Sequence, residues 1–222
     1  PPAPAAQLVT PPTPPSIPAP LPPTVPVTPS QGVSVVNNIA VPVPVAPNAQ
    51  YNTVRVEQPQ WSLGLRSLTP TGAASKLDPQ GRVVATAGLR LRSTGTGFAP
   101  NSTVNLFLTS TNQLVGSVTT DSRGNFAINV PVPAGLPAGV SHFQVAGVTT
   151  DNLVRTTSIE IAVQKLRLKA TVLFPGDSSV LTVATKRTLA GLARRLQGVY
   201  GSLTITTTGF VNRTSDTSYD IR

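Results

Sequence analysis

Short runs in which apolar and polar residues alternate fill the middle of the chain, and they restrict its fold more than any other feature. A side-chain period of two places one face of a strand in a core and the other in solvent. The apolar positions of these runs are Trp61, Leu63, Leu65, Leu89, Leu91, Val104, Leu106, Leu108, Phe126, Ile128, Val130, Phe143, Val145, Ile159, Ile161 and Val163. Trp61 and the phenylalanines are therefore interpreted as core residues and not as ligand platforms.

Turn-forming residues separate these runs. The clearest are Asp121-Ser122-Arg123-Gly124-Asn125, Pro133-Ala134-Gly135, Pro137-Ala138-Gly139 and Asp151-Asn152. No helical spacing of apolar residues intervenes. About six to eight short strands, roughly ten residues apart, are typical of an antiparallel sandwich. We therefore predict an all-β sandwich over residues 51–164.

Part of this region resembles the Ig-like modules of bacterial surface proteins. The resemblance is carried by Gly95-Thr96-Gly97-Phe98-Ala99-Pro100-Asn101-Ser102-Thr103-Val104, by Gly116-Ser117-Val118-Thr119-Thr120-Asp121 and by Gly124-Asn125-Phe126. It implies an Ig-like sandwich. Such modules act as spacers, adhesins or assembly units, so the resemblance does not choose among these functions.

The first fifty residues differ sharply in composition. They hold 16 of the 24 prolines and no charged side chain. Proline fixes φ and removes a backbone donor, which disfavours helices and central strands. We predict a disordered or extended proline-rich linker over residues 1–50, acting as a spacer. It is a poor ligand for an SH3-type groove because the first basic residue is Arg55.

The net charge of +9 lies entirely beyond residue 54, and the chain has no cysteine and no methionine. A chain that begins Pro1-Pro2 is expected to be a processed or cut product. No run approaches the roughly 18 apolar residues of a membrane-spanning helix, so no transmembrane segment is predicted. A basic surface suits polyanions such as nucleic acid, teichoic-type polymers or acidic lipids, or is simply solvated.

A different pattern begins after Gln164. Residues 170–174 are predicted to form a strand, and Thr182 is a candidate N-cap for a helix that runs to about Gln197. Leu203 and Ile205 begin a second strand that ends at Gly209. We predict a partial α/β unit, strand-helix-strand, over residues 165–222.

This unit resembles the opening of the OmpA-like, peptidoglycan-associated domain. The shared residues are Phe174, Asp177, Ser178, Leu181, Thr182, Gly209 and Tyr219. The family motif is Gly-His-Thr-Asp-x-x-Gly-x-x-x-Tyr-Asn, and residues 209–220 occupy its place in this chain. Asn212 replaces the motif Asp, Ser215 replaces the second Gly, and Asp220 replaces the final Asn. The resemblance implies the N-terminal half of a truncated domain, which is expected to continue beyond Arg222.

The same resemblance implies a peptidoglycan site that includes Asn212, Tyr219 and Asp220. In the family the motif Asp holds the amine of the stem peptide. Asn212 supplies no charge, and a charge-assisted hydrogen bond is about twice as strong as a neutral one. The resemblance therefore implies weakened wall binding, or a scaffold that has lost its ligand.

Catalytic and metal sites are not predicted. His142 is the only histidine, so a multi-histidine metal centre is excluded and a structural role is favoured. The chain has no nucleophile-elbow, phosphate-loop or dinucleotide motif. Arg187, Arg194 and Arg195 form a basic helix face without interleaved aromatic residues, so nucleic-acid binding is disfavoured. We expect no enzyme activity, no cofactor and no metal.

These expectations together predict a non-enzymatic, extracytoplasmic component of a bacterial cell envelope. In this interpretation the linker spans distance, the sandwich is a rigid module, and residues 165–222 dock on a cell-wall polymer or on another envelope protein. The alternative is a surface adhesin or a filament subunit in which the OmpA-like part is only a scaffold.

Overall fold

The computed structural model describes residues 25–166 and 180–196, and residues 31–164 form a sandwich of two β-sheets. The strands of the larger sheet are β1 (Gln31–Val36), β2 (Ile39–Pro44), β6 (Val83–Thr86), β8 (Thr103–Leu108), β9 (Gln113–Thr119), β11 (Gly139–Val148) and β12 (Val154–Gln164). Those of the smaller sheet are β3 (Ala46–Asn48), β4 (Thr53–Gln58), β5 (Trp61–Leu68), β7 (Arg90–Thr96) and β10 (Phe126–Pro131).

The strand order of the larger sheet is β2-β1-β12-β11-β8-β9, and that of the smaller sheet is β10-β7-β5-β4-β3. Within both sheets the named strands pair antiparallel except for β6, which runs parallel to the second half of β12. The first half of β12 pairs on the same side with β1. The all-β sandwich predicted from the alternation is thereby confirmed at the level of two packed sheets.

The core lies between the two sheets and contains the predicted inward residues. Those that are buried are Leu63, Leu65, Leu91, Val104, Leu106, Leu108, Phe126, Val130, Phe143, Val145, Ile159, Ile161 and Val163. Trp61, Leu89 and Ile128 are partly buried and pack against this cluster. Phe98 adds an edge-to-face contact with Phe126, with ring centroids 5.5 Å apart. Period-two alternation therefore identified the core face correctly in the six strands that it predicted, β5, β7, β8, β10, β11 and β12.

The predicted turn at Asp121–Asn125 is also present. One carboxylate oxygen of Asp121 accepts hydrogen bonds from the backbone N–H groups of Arg123 and Asn125, both at 2.8 Å. These bonds, that of Asn125 foremost, lower the pKa of Asp121. Gly124 has φ of 75°, and a Cβ there would overlap the carbonyl oxygen of Phe98. The turn therefore requires glycine at this position.

The first strand begins at Gln31, which corrects the predicted start of the sandwich from residue 51 and the predicted linker end at residue 50. Residues 31–48 form three strands, and β1 pairs on both sides, with β2 and β12. The physical reason is the local distribution of proline. None lies in β1, and the three between residues 31 and 48 lie in β2 and β3, which are edge strands that tolerate a missing donor. Residues 1–24 lie outside the described part.

The helix predicted to begin after Thr182 is confirmed as α1 (Val183–Leu196). The hydroxyl of Thr182 accepts a hydrogen bond from the backbone N–H of Thr185 at 3.1 Å, as expected of an N-cap. The strands predicted over residues 170–174 and 203–209 lie outside the described residues. Within residues 25–166 and 180–196, no helix combines the length and apolar character needed to span a bilayer.

Candidate functional site: an arginine-lined groove on the smaller sheet

The residues that the OmpA-like resemblance implicated in binding, Asn212, Tyr219 and Asp220, lie outside the described residues. His142 lies in β11, directly across from Glu160 of β12. Burial lowers the pKa of His142, and the nearby Glu160 opposes that shift. In the part of the chain that the structure describes, no three His, Cys, Asp or Glu side chains come together to hold a metal ion.

The outer faces of the two sheets differ in exposure. At the centre of the larger sheet, outward residues are 0–7% exposed, namely Val33, Gln144, Ala146, Ser158 and Glu160. On the smaller sheet, Arg55 and Glu57 are exposed, and Arg66 and Arg92 are partly exposed. The face of the smaller sheet is therefore the one on which a ligand can lie along the strands.

Strand register brings arginines together on this open face. Leu63 and Leu65 of β5 point into the core, so Gly64 and Arg66 point outward. Arg66 lies directly opposite Arg92 of β7, while Gly64 lies between Arg55 of β4 and Thr94 of β7. Directly opposed residues on one face have Cβ atoms about 4.5–5.5 Å apart. The side chains of Arg66 and Arg92 thus leave the sheet side by side.

A groove of about 580 Å³ follows these residues. Arg55, Arg66 and Arg92 line it together with Asn48, Tyr51 and Thr94. A Cβ at Gly64 would come within 2.7 Å of the Thr94 hydroxyl, so the glycine keeps the floor of the groove low at its centre. The volume falls within the roughly 300–1,000 Å³ of small-molecule sites.

The charge in the groove is only partly balanced. The carboxylate of Glu57 lies 3.1 Å from the guanidinium of Arg55, and both side chains are largely exposed. Among the described residues, the side chains of Arg66 and Arg92 have no hydrogen-bond or ion-pair partner, and neither has the hydroxyl of Thr94. These donors are free to bind an anion that enters the groove.

Tyr51 lies at the rim, in the turn between β3 and β4. Its backbone N–H donates to the side-chain oxygen of Asn48 at 3.2 Å, and Asn52 completes the turn with φ of 49°. The tyrosine residue is 61% exposed, which is unusual for a large aromatic group. An exposed tyrosine beside unpaired arginines offers both an apolar ring face and a hydroxyl to a ligand.

A second charged cluster stabilises the sandwich itself. Arg82 donates to Asp78 at 2.7 Å and to Glu160 at 3.0 Å, and its side chain is 17% exposed. Burial opposes the charge of Arg82, but the bonds to both carboxylates raise its pKa overall. This cluster joins the loop before β6 to the centre of β12 and leaves little capacity for a ligand.

Arg155 has a comparable structural role at one end of the core. Its guanidinium carbon lies 4.8 Å above the Trp61 ring, and it donates to the carbonyl oxygen of Gly97 at 3.3 Å. Burial lowers the pKa of Arg155, with a smaller opposing effect from Asp151. Trp61 therefore packs between the core and a cation, in agreement with its prediction as a core residue.

Arg66, Arg90 and Arg92 directly follow the predicted inward residues Leu65, Leu89 and Leu91, so the same alternation implies the solvent side for them, but it does not identify the groove. That step needs the pairing of β5 with β7, which are separated by about twenty residues of chain. The sequence signal that could have pointed to the groove is Gly64, which lies between two inward leucines. A glycine inside a strand often marks a place where a ligand or another backbone approaches closely.

No protein-family model matches the chain, and no curated protein shows significant sequence similarity to it.

Proposed function

We propose that the protein is a non-enzymatic, structural and anchoring component of a bacterial cell envelope, in which the sandwich binds a polyanion of the wall. The supporting observation is the open, arginine-lined groove on one sheet, opposite a sheet whose central outer face is buried. In this proposal the proline-rich start acts as a spacer. Residues 165–222 act as the OmpA-like docking unit, with Asn212, Tyr219 and Asp220 at its peptidoglycan site.

The chemistry of the groove supports binding over catalysis. Glu57, the only carboxylate among the described residues that line the groove, is ion-paired with Arg55 and largely exposed. Arginine does not lose its proton near neutral pH, so it cannot act as a general base. The remaining groups are hydroxyls and an amide, which orient a ligand by hydrogen bonds. The groove therefore has the composition of a recognition surface.

Retention on isolated cell walls tests this proposal. The full chain is mixed with purified wall material, and in parallel with duplex DNA, across a titration of NaCl. We expect retention on the wall at moderate salt where DNA no longer binds. Loss of wall binding at the salt concentration that releases DNA would contradict the proposal.

The Asn212→Asp variant examines the OmpA-like site in the same assay. A restored carboxylate should increase retention on peptidoglycan if residues 165–222 bind it as the family does. If neither the parent nor the variant is retained on peptidoglycan, docking of that segment on peptidoglycan is rejected.

One observation favours a second role as a filament or assembly subunit. Strand β2 is an edge of the larger sheet, and its Ile39 and Val41 are 64% and 50% exposed. Exposed apolar residues on an edge strand favour pairing with another chain. Light scattering at increasing protein concentration tests this role. Oligomers that are abolished by Val41→Lys would support it, and a monomer at all concentrations would contradict it.

A further inference from the structure

We propose that the groove is a binding site for an acidic glycan, whose carboxylates are held by Arg66 and Arg92 and one of whose sugar rings packs on Tyr51. This inference rests on the proposed function, because it names the class of wall polymer that the sandwich binds. It concerns residues 48–66 and 92–94 and does not involve the OmpA-like segment.

The arginine pair is the first argument. Two arginines directly opposite each other on one sheet face repel, and such pairs destabilise a sheet. Arg66 and Arg92 have no carboxylate partner among the described residues, and the one glutamate in the groove is bonded to Arg55. A bound carboxylate would relieve the repulsion and accept paired hydrogen bonds from the planar guanidinium fork. The geometry points to an anion at this place.

The neutral groups identify the kind of anion. Asn48, Thr94 and Tyr51 surround the arginines with amide and hydroxyl groups. A chain of sugar acids carries hydroxyl groups between its carboxylates and therefore uses both kinds of partner. An exposed tyrosine suits the apolar face of a sugar ring, because its own ring is flat and amphipathic. A bare phosphate can accept hydrogen bonds from the amide and hydroxyl groups, but it has no apolar face to pack on the Tyr51 ring.

The same residues argue against single-stranded nucleic acid. Proteins that bind it stack successive bases on several aromatic side chains along a basic groove. Within the described part of the chain, Tyr51 is the one aromatic residue that lines this groove. A polymer of stacked bases would therefore have a single platform.

The test uses calorimetric titration of the full chain with trigalacturonate, and separately with a neutral glucose trimer and with inorganic polyphosphate. The test variant is Arg66→Gln with Arg92→Gln. Its matched control is Lys76→Gln with Arg123→Gln, which removes the same charge from two exposed residues outside the groove. Tyr51→Ala is measured beside them.

We expect trigalacturonate to bind the parent in a salt-dependent manner. The Arg66/Arg92 variant should bind it at least tenfold more weakly, while the Lys76/Arg123 control should stay within twofold. Tyr51→Ala should weaken trigalacturonate and leave any polyphosphate binding unchanged, since only the sugar uses the ring. The neutral trimer should not bind measurably.

Equal binding by the Arg66/Arg92 variant and its control, or no binding of trigalacturonate by the parent, would overturn the inference. Binding of polyphosphate without trigalacturonate would overturn it in favour of a phosphodiester polymer. A thermal melt verifies that the variant is folded. Wall retention that survives the Arg66/Arg92 substitutions would reject the groove as the site and leave the envelope role standing. Trigalacturonate binding without wall retention would reject the envelope role and leave the site standing.

Discussion

Replacing Arg92 by Gln should stabilise the sandwich, although arginines that lie on strands are usually treated as neutral or favourable. Arg66 and Arg92 are opposed across β5 and β7, and no anionic side chain of the described residues is paired with either. Two unit positive charges about 6 Å apart, slightly more than the roughly 4.5–5.5 Å between Cβ atoms of directly opposed residues, repel by roughly 0.7 kcal/mol in bulk water. Measured cross-strand pairs vary over about 0.2–1 kcal/mol. We therefore expect the free energy of unfolding to rise by about 0.5 kcal/mol.

A double-mutant cycle isolates this repulsion. Arg66→Gln and Arg92→Gln each remove the same unfavourable pair, so the double variant should gain little more than either single variant. Urea unfolding in 50 mM and in 1 M NaCl is the assay. The gain should shrink at high salt, where the screening length falls to about 3 Å. Arg55→Gln serves as the control, because it removes an exposed attraction to Glu57 and should not stabilise.

Two results would contradict the repulsion between Arg66 and Arg92: a lower free energy of unfolding for Arg92→Gln at low salt, or full additivity of the two single effects. Either result would mean that the two arginines do not repel each other measurably, and the groove would then not be poised for an external anion. A gain that is unchanged in 1 M NaCl would attribute the effect to strand propensity instead of charge.

Three further predictions concern the framework that holds the groove. Gly124→Ala should cost at least about 1–3 kcal/mol because of the left-handed φ alone, while Gly135→Ala, with open space around it, should stay within about 0.5 kcal/mol in urea unfolding. Similar costs for both would refute the requirement for glycine in that turn. Arg82→Met should lower the free energy of unfolding by about 3 kcal/mol, since two buried carboxylates lose their counter-ion; a change below about 1 kcal/mol would contradict this. Because the folded-state pKa of His142 lies below its ordinary 6.5, the unfolded state binds the proton first as pH falls, so stability should decline below about pH 6.5. His142→Gln should flatten that decline in thermal melts between pH 7.5 and 5, and an unchanged profile would assign the decline to other groups.

Strands β5, β7, β8, β10, β11 and β12 could be predicted because their signal is local: each carries an alternation such as Leu63 and Leu65 around Gly64, next to turn residues. Strands β4, β6 and β9, which also lie between residues 51 and 164, were not predicted. The helix start at Thr182 could be predicted for the same reason, because an N-cap depends only on the capping residue and the residues that directly follow it.

The start of the sandwich was misplaced because proline was weighed over the first fifty residues as a block. The run from Gln31 to Val36 contains none, and its pairing partner in β12 is more than a hundred residues away. The groove could not be predicted from the sequence for a related reason. Arg66 and Arg92 face each other only through the register of β5 with β7, and a shift by one residue would separate them. Both the start of the sandwich and the groove depend on pairing between strands that are distant in sequence. The local pattern of residues does not encode this pairing.

Amide chemical-shift mapping of the full chain during titration with trigalacturonate is the most direct test of where the ligand binds. We expect the largest changes to cluster on the open face, at residues 48–66 and 92–94, and to be absent in the Arg66/Arg92 glutamine variant. Changes confined to residues 165–222, or spread over the larger sheet, would contradict it.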